Sequence, residues 1–433
     1  MDEKEKLKKE ILEMVSKYYS LAHAKKEFTP GKTRINYAGR VFDEKEMVAA
    51  ADSLLDFYLT LGKNGKEFEE KLSKFLGLSH SVLTNSGSSA NLLAVSALCS
   101  LQYPNRLLPG DEVITAAAGF PTTVNPILQN NLVPVFVDSE IGSYNIDASK
   151  IEEAISKKTK AIMFAHTLGN PGDMDEIMRI AKKHGLIVIE DCCDALGSAF
   201  DGKLLGTFGS LATFSFYPAH HITMGEGGAI SGNSKLLDKI LRSLRDWGRS
   251  CWCDPGKSNT CGVRFEFKIA GVPYDHKYMY DNIGYNLKPL DLQAAIGVKQ
   301  LDKLPIFVEK RKENFKMLFK EFKKFDEFLT LPTWHKKADP AWFGFPITIK
   351  PHTGIKLIEL QKFLEDNLIE SRRLFSGNIT KQPAYRESKF RVSGKLENSD
   401  LIMANTLFLG VYPGINKEMI NYTVDKFSEF LHK

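Results

Sequence analysis

Residues 215–228 read Ser-Phe-Tyr-Pro-Ala-His-His-Ile-Thr-Met-Gly-Glu-Gly-Gly, so an apolar run leads directly into a glycine-rich segment. Similar short apolar runs recur between residues 111 and 230, and several alternate with helical patterns such as residues 175–184. They cover residues 111–116, 133–138, 161–167, 186–191, 211–217 and 228–230. Apolar strands separated by helices predict an α/β fold with a mostly parallel sheet covered on both faces. The ligand of such a sheet binds beyond the carboxyl ends of the strands.

The pattern changes after about residue 300. A long lysine-rich helix is predicted at 308–325, a strand at 344–350 and an amphipathic helix at 417–430. We therefore predict three parts: an N-terminal helical segment (1–45) that packs on the small domain, a large ligand-binding domain (46–300) and a small C-terminal α+β domain (301–433).

Composition narrows the functional class. The 433 residues are 43% hydrophobic and 26% charged, and the net charge of +5 is concentrated in lysine clusters with helical spacing. Such clusters are typical of solvated helix faces, so we expect no nucleic-acid partner. The N-terminus has no signal-peptide pattern, and no apolar stretch is long enough to span a bilayer. Six cysteines, five of them grouped, favour a reducing cytoplasm and a metal or cluster site over disulfides.

Two segments carry candidate binding residues. Thr-Asn-Ser-Gly-Ser-Ser-Ala-Asn at 84–91 precedes an apolar helical run, and a helix N-terminus suits a phosphate. A plain serine N-cap is the alternative interpretation. Asp191 ends an apolar run, where its carboxylate could pair with a pyridinium nitrogen or merely cap the next helix.

Four motifs in order resemble a known group of enzymes: Gly-Ser-Ser-Ala-Asn (87–91), Glu-Asp-Cys-Cys-Asp (190–194), the segment 215–228, and Gly-Tyr-Asn-Leu-Lys-Pro-Leu-Asp-Leu-Gln-Ala-Ala (284–295). Over residues 33–431 the chain resembles the nucleotide-sugar aminotransferases and dehydratases among the pyridoxal-phosphate (PLP) enzymes. The resemblance implies the aspartate-aminotransferase-like fold, fold type I, and a homodimer with shared active sites.

The resemblance also implies roles for individual residues. It assigns the cofactor phosphate to Ser88, Ser89 and Ser215, and the pyridine nitrogen to Asp191. It assigns the aromatic contact with the cofactor ring to Phe120, and the phosphate of the neighbouring subunit to Asn286.

One position departs from the family pattern. Where relatives carry the lysine that forms a Schiff base, this chain has His220, which has no primary amine. We therefore expect pyridoxamine 5'-phosphate (PMP) bound without a covalent link, with His220 as general base. Asp194 and Tyr217 also depart from the pattern. Asp194 could orient His220, or it could only cap a helix.

Cysteines suggest a second cofactor. Cys251, Cys253 and Cys261 form Cys-x-Cys-x7-Cys in a polar loop, and Cys193 lies two residues after Asp191. Four thiolates are typical of a [2Fe–2S] cluster, although structural zinc takes the same set. Together with His220, this loop resembles the iron–sulfur 3-dehydrases that act on CDP-4-keto-6-deoxy-D-glucose in 3,6-dideoxyhexose and lipopolysaccharide O-antigen biosynthesis, and that resemblance assigns all four cysteines as ligands. It implies a separate NAD(P)H-dependent iron–sulfur flavoprotein reductase as partner.

Three other functions stay open. A cluster-free GDP-4-keto-6-deoxymannose 3-dehydratase would not need the cysteine loop. A sugar aminotransferase is disfavoured because histidine cannot anchor the aldehyde form of the cofactor. A non-catalytic binding or iron-sensing protein on the same fold is the remaining alternative.

Overall fold

The computed structural model describes residues 2–23, 27–253 and 257–432. Within them the α-helices are α1 (Glu3–Ala22), α2 (Glu44–Asp56), α3 (Lys63–Leu76), α4 (Gly87–Cys99), α5 (Pro121–Gln129), α6 (Met174–His184), α7 (Lys235–Arg245), α8 (Asp291–Phe322), α9 (Leu357–Asp366), α10 (Glu397–Asn405) and α11 (Lys417–Leu431). The strands are β1 (His80–Thr84), β2 (Glu112–Ala116), β3 (Val133–Val137), β4 (Thr159–Ala165), β5 (Ile187–Asp191), β6 (Ala199–Phe200), β7 (Lys203–Leu204), β8 (Leu211–Ser215), β9 (Gly228–Gly232), β10 (Phe267–Ile269), β11 (Val272–Tyr274), β12 (Leu329–Thr330), β13 (Ala338–Asp339), β14 (Gly344–Ile349), β15 (Arg372–Arg373), β16 (Arg391–Val392) and β17 (Thr406–Gly410).

The large sheet has the strand order β1-β9-β8-β5-β4-β2-β3-β16. Within this sheet, β8, β5, β4, β2, β3 and β16 run parallel to one another. Strand β9 runs antiparallel to both of its neighbours, β8 and β1. Apolar clusters cover both faces, which is why the strand sequences are continuously apolar rather than alternating. The predicted fold type I architecture is confirmed.

Helix α6 illustrates how the sequence sets the helices against this sheet. The Asp173 side chain accepts a hydrogen bond from the Glu176 backbone N–H (3.2 Å) and caps the N-terminus. Ile177 and Ile180, three residues apart, are fully buried on one face. Gly185 ends the helix with a φ of 64°, a conformation that glycine adopts without strain. The helix predicted at 175–184 is thus present.

The C-terminal half forms a second sheet, with antiparallel order β12-β14-β17-β15. Its core is aromatic: Phe315 stacks on Trp342 with ring centroids 3.7 Å apart, and Phe322 contacts Phe345 and Phe427. These rings fill the space between the sheet and helices α8 and α11.

Two elements link the halves across the predicted boundary at residue 300/301. Helix α8 begins at Asp291 rather than at 308, so the boundary lies inside one continuous helix. Strand β16, at residues 391–392, pairs with β3 and completes the edge of the large sheet. The three-part division itself stays a prediction.

The N-terminal segment contacts both helix α2 and the C-terminal half of the chain. Helix α1 packs along α2, where Lys8 pairs with Asp56 at 2.7 Å. Farther along, Ile35 pairs with Ile369 of the C-terminal half, and Phe28 packs edge-on against Tyr422. In the described ranges, no helix combines the length and apolarity needed to span a bilayer.

Candidate active site

A cavity of about 950 Å³ opens at the carboxyl ends of the parallel strands, where the sequence predicted the ligand. The C-terminal half closes it from the other side. Predicted site residues that line it are Ser88, Phe120, Asp191, Cys193, Asp194, Ser215, Tyr217 and His220.

The N-terminus of α4 forms one wall. The Ser86 side chain caps the helix by accepting a hydrogen bond from the Ser89 N–H (3.0 Å), and its hydroxyl also donates to Ser89 Oγ. Gly87 is essential to the fit, because a Cβ there would lie 2.5 Å from Ser215 Cβ. Ser88 and Ser215 therefore face the cavity beside free helix N–H groups, which suits a phosphate. The Ser89 hydroxyl accepts a hydrogen bond from the capping side chain of Ser86. This helix N-terminus therefore fits both interpretations left open by the sequence, a serine N-cap and a phosphate site.

Asp191 is held by a buried hydrogen-bond network. Its Oδ2 accepts hydrogen bonds from Asn91 Nδ2 and Thr123 Oγ1, both at 2.8 Å, and its Oδ1 accepts from the Cys193 backbone N–H at 3.1 Å. Thr213 Oγ1 in turn donates to Asn91 Oδ1 at 2.6 Å. Three donors on one buried carboxylate fix its direction. Such an acid at the cavity floor fits a pyridinium nitrogen.

Sequence reasoning missed Asn91, Thr123 and Thr213. Asn91 and Thr213 are fully buried, and Thr123 nearly so. A polar residue inside an otherwise apolar helix or strand was the available signal, because burial of such a group is costly without a partner.

Phe120 stands at the N-terminus of α5 with about half of its surface exposed to the cavity. Its ring packs edge-on against Phe375 at a centroid distance of 5.6 Å. This leaves a flat apolar face available for a cofactor ring. The opposite wall, which the sequence analysis did not assign, contributes Tyr37, Arg372, Arg373 and Tyr385.

His220 lies in the cavity wall beside Asp194. Its Nδ1 is 3.4 Å from Asp194 Oδ1, although the ring forms no aligned hydrogen bond there. The predicted orienting contact is therefore close but loose, as catalytic contacts often are before the ligand binds. Tyr217, three residues earlier, is half exposed at the same wall, and its carbonyl accepts a hydrogen bond from the His220 backbone N–H at 3.0 Å.

Arg311 stabilises the turn at residues 217–220, which carries His220. It is fully buried on α8 and donates hydrogen bonds to the carbonyls of His220 (3.0 Å), Trp342 and Phe343. Burial lowers the pKa of Arg311 to about 10, against the opposing effect of Asp194, so the guanidinium remains charged at neutral pH.

The neighbouring His221 has a different role. It is buried, its ring nitrogen Nε2 lies 3.1 Å from the Ala341 carbonyl, and burial lowers its pKa well below the usual value. His221 is therefore a neutral core residue, and His220 is the one that faces the cavity.

Among the described residues, none of those lining the cavity is a lysine. Among the lining residues that the structure describes, the guanidinium groups of Arg372 and Arg373 are the permanent cations, and arginines do not form Schiff bases. The residues present fit a B6 cofactor held by hydrogen bonds and stacking, without a covalent tether.

The cysteine loop, residues 250–280, projects from a short stem. The backbone bridges Asp246–Asn286 and Arg249–Tyr280 form this stem. Gly248 lies within it at a φ of 83°, and a Cβ there would be 1.8 Å from the Asn282 carbonyl oxygen. Residues 254–256 of the loop lie outside the described part of the chain.

Three of the predicted ligands, Cys251, Cys253 and Cys261, lie in this loop. Burial raises the pKa of Cys251, which also faces Cys253 and Cys261. Burial acts to raise the pKa of Cys253 as well, but hydrogen bonds to Thr260 and the Cys261 backbone outweigh it and lower the pKa to about 7. The polar surroundings of Cys253 therefore favour its thiolate form.

A buried histidine, His276, lies against the thiols. Its Nδ1 is 3.9 Å from Cys261 Sγ and its Nε2 is 3.2 Å from Ser250 Oγ. The ring stacks on Phe267 with centroids 4.0 Å apart. His276 thus links both sides of the loop.

The fourth assigned cysteine lies elsewhere. Cys193 lines the cofactor cavity, and its Sγ would be 3.1 Å from a Cβ on Gly87. Within the ranges that the structure describes, no grouping of three or more possible metal-binding side chains within 4.8 Å includes Cys193 or any of the three loop thiols. The four predicted ligands are therefore not assembled within one chain.

Asn286 is exposed outside the cavity lining, at the root of the stem, where its Oδ1 accepts a hydrogen bond from Lys288 at 3.1 Å. The next residue, Leu287, accepts a hydrogen bond from the Asn85 N–H through its carbonyl (2.8 Å). The role assigned to Asn286 at a neighbouring subunit stays a prediction.

Known proteins share this architecture over nearly the whole chain. The chain is 51% identical over 427 residues to the lipopolysaccharide biosynthesis protein RfbH of Salmonella typhimurium, covering 98% of each protein. It is 49% identical over 409 residues to the dTDP-4-dehydro-2,6-dideoxy-D-glucose 3-dehydratase of Saccharopolyspora spinosa, covering 94% of this chain and 88% of the relative.

A solved structure is also similar. The Escherichia coli GDP-4-keto-6-deoxy-D-mannose-3-dehydratase with bound hydrated PLP superposes with a TM-score of 0.82 at 32% identity, covering 91% of this chain and 100% of that one. The sequence pattern of the DegT/DnrJ/EryC1/StrS aminotransferase family matches residues 41–428. The resemblance found in the four motifs is confirmed, and the chain belongs to the DegT/DnrJ/EryC1/StrS aminotransferase family.

Proposed function

We propose that this chain is a PMP-dependent nucleotide-sugar 3-dehydrase that removes the C3 hydroxyl of a 4-keto-6-deoxy sugar. The observation that carries the proposal is His220 in a cavity whose described lining contains an anchored carboxylate, Asp191, and no lysine. An aminotransferase must regenerate its cofactor through the aldehyde form, which a lysine holds. The two relatives above 45% identity include a sugar 3-dehydratase.

Bound PMP would supply a primary amine for the C4 carbonyl of the sugar and a ring that accepts electrons. Asp191 would hold the ring nitrogen, Ser88 and Ser215 the phosphate, and Phe120 one ring face. Because His220 Nδ1 faces Asp194, its Nε2 is the nitrogen free to take a proton from the cofactor's methylene carbon. The resulting imidazolium is stabilised by Asp194 and can return the proton to the departing hydroxyl, so that water leaves.

The substrate we propose is CDP-4-keto-6-deoxy-D-glucose, on the way to a 3,6-dideoxyhexose. Arg372 and Arg373 stand in the cavity wall opposite the sheet, and guanidinium groups suit a diphosphate. The assignment of CDP rests on the resemblance carried by His220 and the cysteine loop.

We further propose that Cys193, Cys251, Cys253 and Cys261 carry a [2Fe–2S] cluster, that a separate NAD(P)H-dependent reductase supplies electrons to it, and that the protein is a cytoplasmic homodimer. The presence of three cysteines in one polar loop, in the pattern Cys-x-Cys-x7-Cys, supports the cluster.

The test measures C3–O cleavage without the reductase. The PMP-loaded protein is incubated in heavy-oxygen water with CDP-, GDP- or dTDP-linked 4-keto-6-deoxy sugars, and label at C3 is followed by mass spectrometry. We expect label in the CDP sugar. Label in the GDP sugar alone would favour the cluster-free dehydratase, and no label in any sugar would refute the dehydrase assignment.

A second arm tests the untethered cofactor. After incubation with PLP and borohydride, the wild-type chain should gain no cofactor mass, whereas His220→Lys should gain one cofactor. A covalent adduct on the wild-type chain would contradict the account, because it would require a lysine that reaches the cavity.

A further inference from the structure

The imidazole of His220 is held in place by few contacts of its own. Among the described residues its Nδ1 has no hydrogen-bond partner, although Asp194 Oδ1 lies 3.4 Å away. The ring packs against the ring of Phe343, with centroids 5.3 Å apart and planes inclined by 47°. The direction of the imidazole therefore depends on where the backbone of residue 220 and the ring of Phe343 are held.

One buried side chain joins these two places. Arg311 Nη2 donates a hydrogen bond to the His220 carbonyl at 3.0 Å. Its Nη1 donates to the carbonyls of Trp342 at 3.3 Å and Phe343 at 3.2 Å. The guanidinium group is planar and carries several N–H donors in a fixed arrangement, so it can hold two backbone segments at a set separation.

The burial of Arg311 indicates a specific role. The residue is only 1% exposed, and arginine is rarely buried to this extent because taking its charge out of water is costly. Its hydrogen bonds go to backbone carbonyls of the turn at residues 217–220 and of the chain segment that leads into β14. The cost of burial is therefore associated with the junction between these two segments.

The segment that leads into β14 is itself anchored. The Phe343 N–H donates a hydrogen bond to the Leu168 carbonyl at 2.7 Å, and the Ala341 N–H donates to Ser198 Oγ at 2.8 Å. The Ala341 carbonyl lies 3.1 Å from His221 Nε2, which is then the donor, since a carbonyl only accepts. This segment is a fixed support for the turn that carries the two histidines.

We propose that Arg311 is a positioning residue for the proton transfers at His220. It ties the turn at residues 217–220 to the segment that carries Phe343, so that the imidazole stays between Asp194 and the Phe343 ring. Arg311 is not among the described residues that line the cofactor cavity, so it acts through His220 rather than by contact with a ligand. This inference rests on the proposed function, because it takes His220 as the base.

The test compares Arg311→Met with Arg311→Lys in the heavy-oxygen assay with the CDP-linked sugar. Methionine keeps an unbranched chain and removes every donor, whereas lysine keeps a charged donor. We expect Arg311→Met to lower kcat for C3–O cleavage by about 100-fold with KM unchanged, the effect of a small misplacement of a reacting group, and Arg311→Lys by only about tenfold. PMP binding, measured by equilibrium dialysis, should be the same in both variants and the wild type.

Asn314 provides the matched control on the same helix. It is fully buried, and its Nδ2 donates to three backbone carbonyls, those of Val411, Tyr412 and Ile415, at 3.1–3.2 Å. Asn314→Leu should lower the urea midpoint of unfolding about as much as Arg311→Met does, yet leave kcat unchanged. The two variants therefore separate lost hydrogen bonding in the core from lost positioning of the base.

The decisive measurement repeats Arg311→Met in the His220→Asn background. If Arg311 acts through the imidazole, the second substitution should lower the residual kcat by less than about twofold, because the group it positions is already absent. If Arg311→Met fails to fold, as judged by circular dichroism, Arg311→Lys takes its place, and its loss of kcat should likewise disappear in the His220→Asn background.

The same fold-loss of kcat with and without His220 would overturn the inference, because Arg311 would then act elsewhere. Wild-type kcat in Arg311→Met would overturn it too. A wild-type protein that leaves no label in any sugar would instead refute the proposed function, so the two failures are distinguishable.

Discussion

In the cofactor cavity, Asp191 accepts hydrogen bonds from three buried donors that strands and helices hold in place, whereas in the cysteine loop the thiols lie on a short stem with exposed aromatic rings. The first region is packed into the core. The second projects from the core on a short stem. The difference indicates that the cavity is preorganised for a ligand, whereas the loop depends less on core packing for its structure.

The largest expected effect concerns the base in the cavity. His220→Asn should lower the rate of C3–O cleavage by about 10²–10⁴-fold, the usual contribution of a positioned base. PMP binding, followed by equilibrium dialysis, should be unchanged, since Asp191 and Ser215 remain. His184→Asn, on the exposed side of α6, is the matched control and should keep full activity. Undiminished cleavage by His220→Asn would eliminate the histidine as base.

Thiol reactivity should separate the two regions next. The pKa of Cys253 is lowered to about 7 and that of Cys99 is raised by burial to about 12. In cluster-free protein at pH 7, Cys253 should therefore carry about fifteen-fold more thiolate than an ordinary thiol. We expect alkylation at Cys253 to rise between pH 6 and pH 8, as read by peptide mass spectrometry, and Cys99 to stay unmodified. Equal labelling of both would contradict the assigned surroundings.

A third experiment breaks the network under Asp191. Asn91→Leu removes one donor from the carboxylate and the acceptor of Thr213, so it should lower the free energy of unfolding by about 2 kcal/mol. Asn233→Leu makes the same change at an exposed hydrogen bond to the Ser79 N–H and should cost less than about 0.5 kcal/mol. Urea denaturation measures both. Equal costs would show that the cavity is not preorganised by this network.

The smallest expected change in global stability comes from the loop. His276→Phe keeps the stacking on Phe267 but loses the contacts with Ser250 and Cys261. We expect less than about 1 kcal/mol of lost global stability, because the loop opens separately from the core, but faster amide exchange confined to residues 248–280. His352→Phe, on an exposed turn, is the control. Faster exchange throughout the large sheet would show instead that loop and core unfold together.

Much of the fold was predictable because its signals are local. Each apolar run from residue 111 onward became a strand of the large sheet, and residues 175–184 became α6, since buried parallel strands and capped amphipathic helices leave plain sequence patterns. The start of α8 was missed by seventeen residues, from 308 back to Asp291, because Pro305 and Gly297 within it read as helix breakers while tertiary packing held the helix together.

The site was predicted unevenly. Motif positions such as Asp191, Ser215 and His220 lie in the cavity, since they follow strands whose ends meet at one edge. Arg311, Arg372 and the Asn91 network were not predicted, because their approach to the cavity depends on contacts between residues far apart in the chain. The position of Cys193 in the cofactor cavity also required the fold, because spacing along the sequence does not show which cavity a side chain lines.

Strand β16 has a consequence for biosynthesis. It covers the outer edge of β3 with residues 391–392, which the ribosome supplies long after the other strands of the large sheet. Until then, a nascent or prematurely terminated chain exposes an unpaired parallel edge that can recruit a strand from another molecule. Incomplete translation products of this protein should therefore depend on chaperones to remain dispersed.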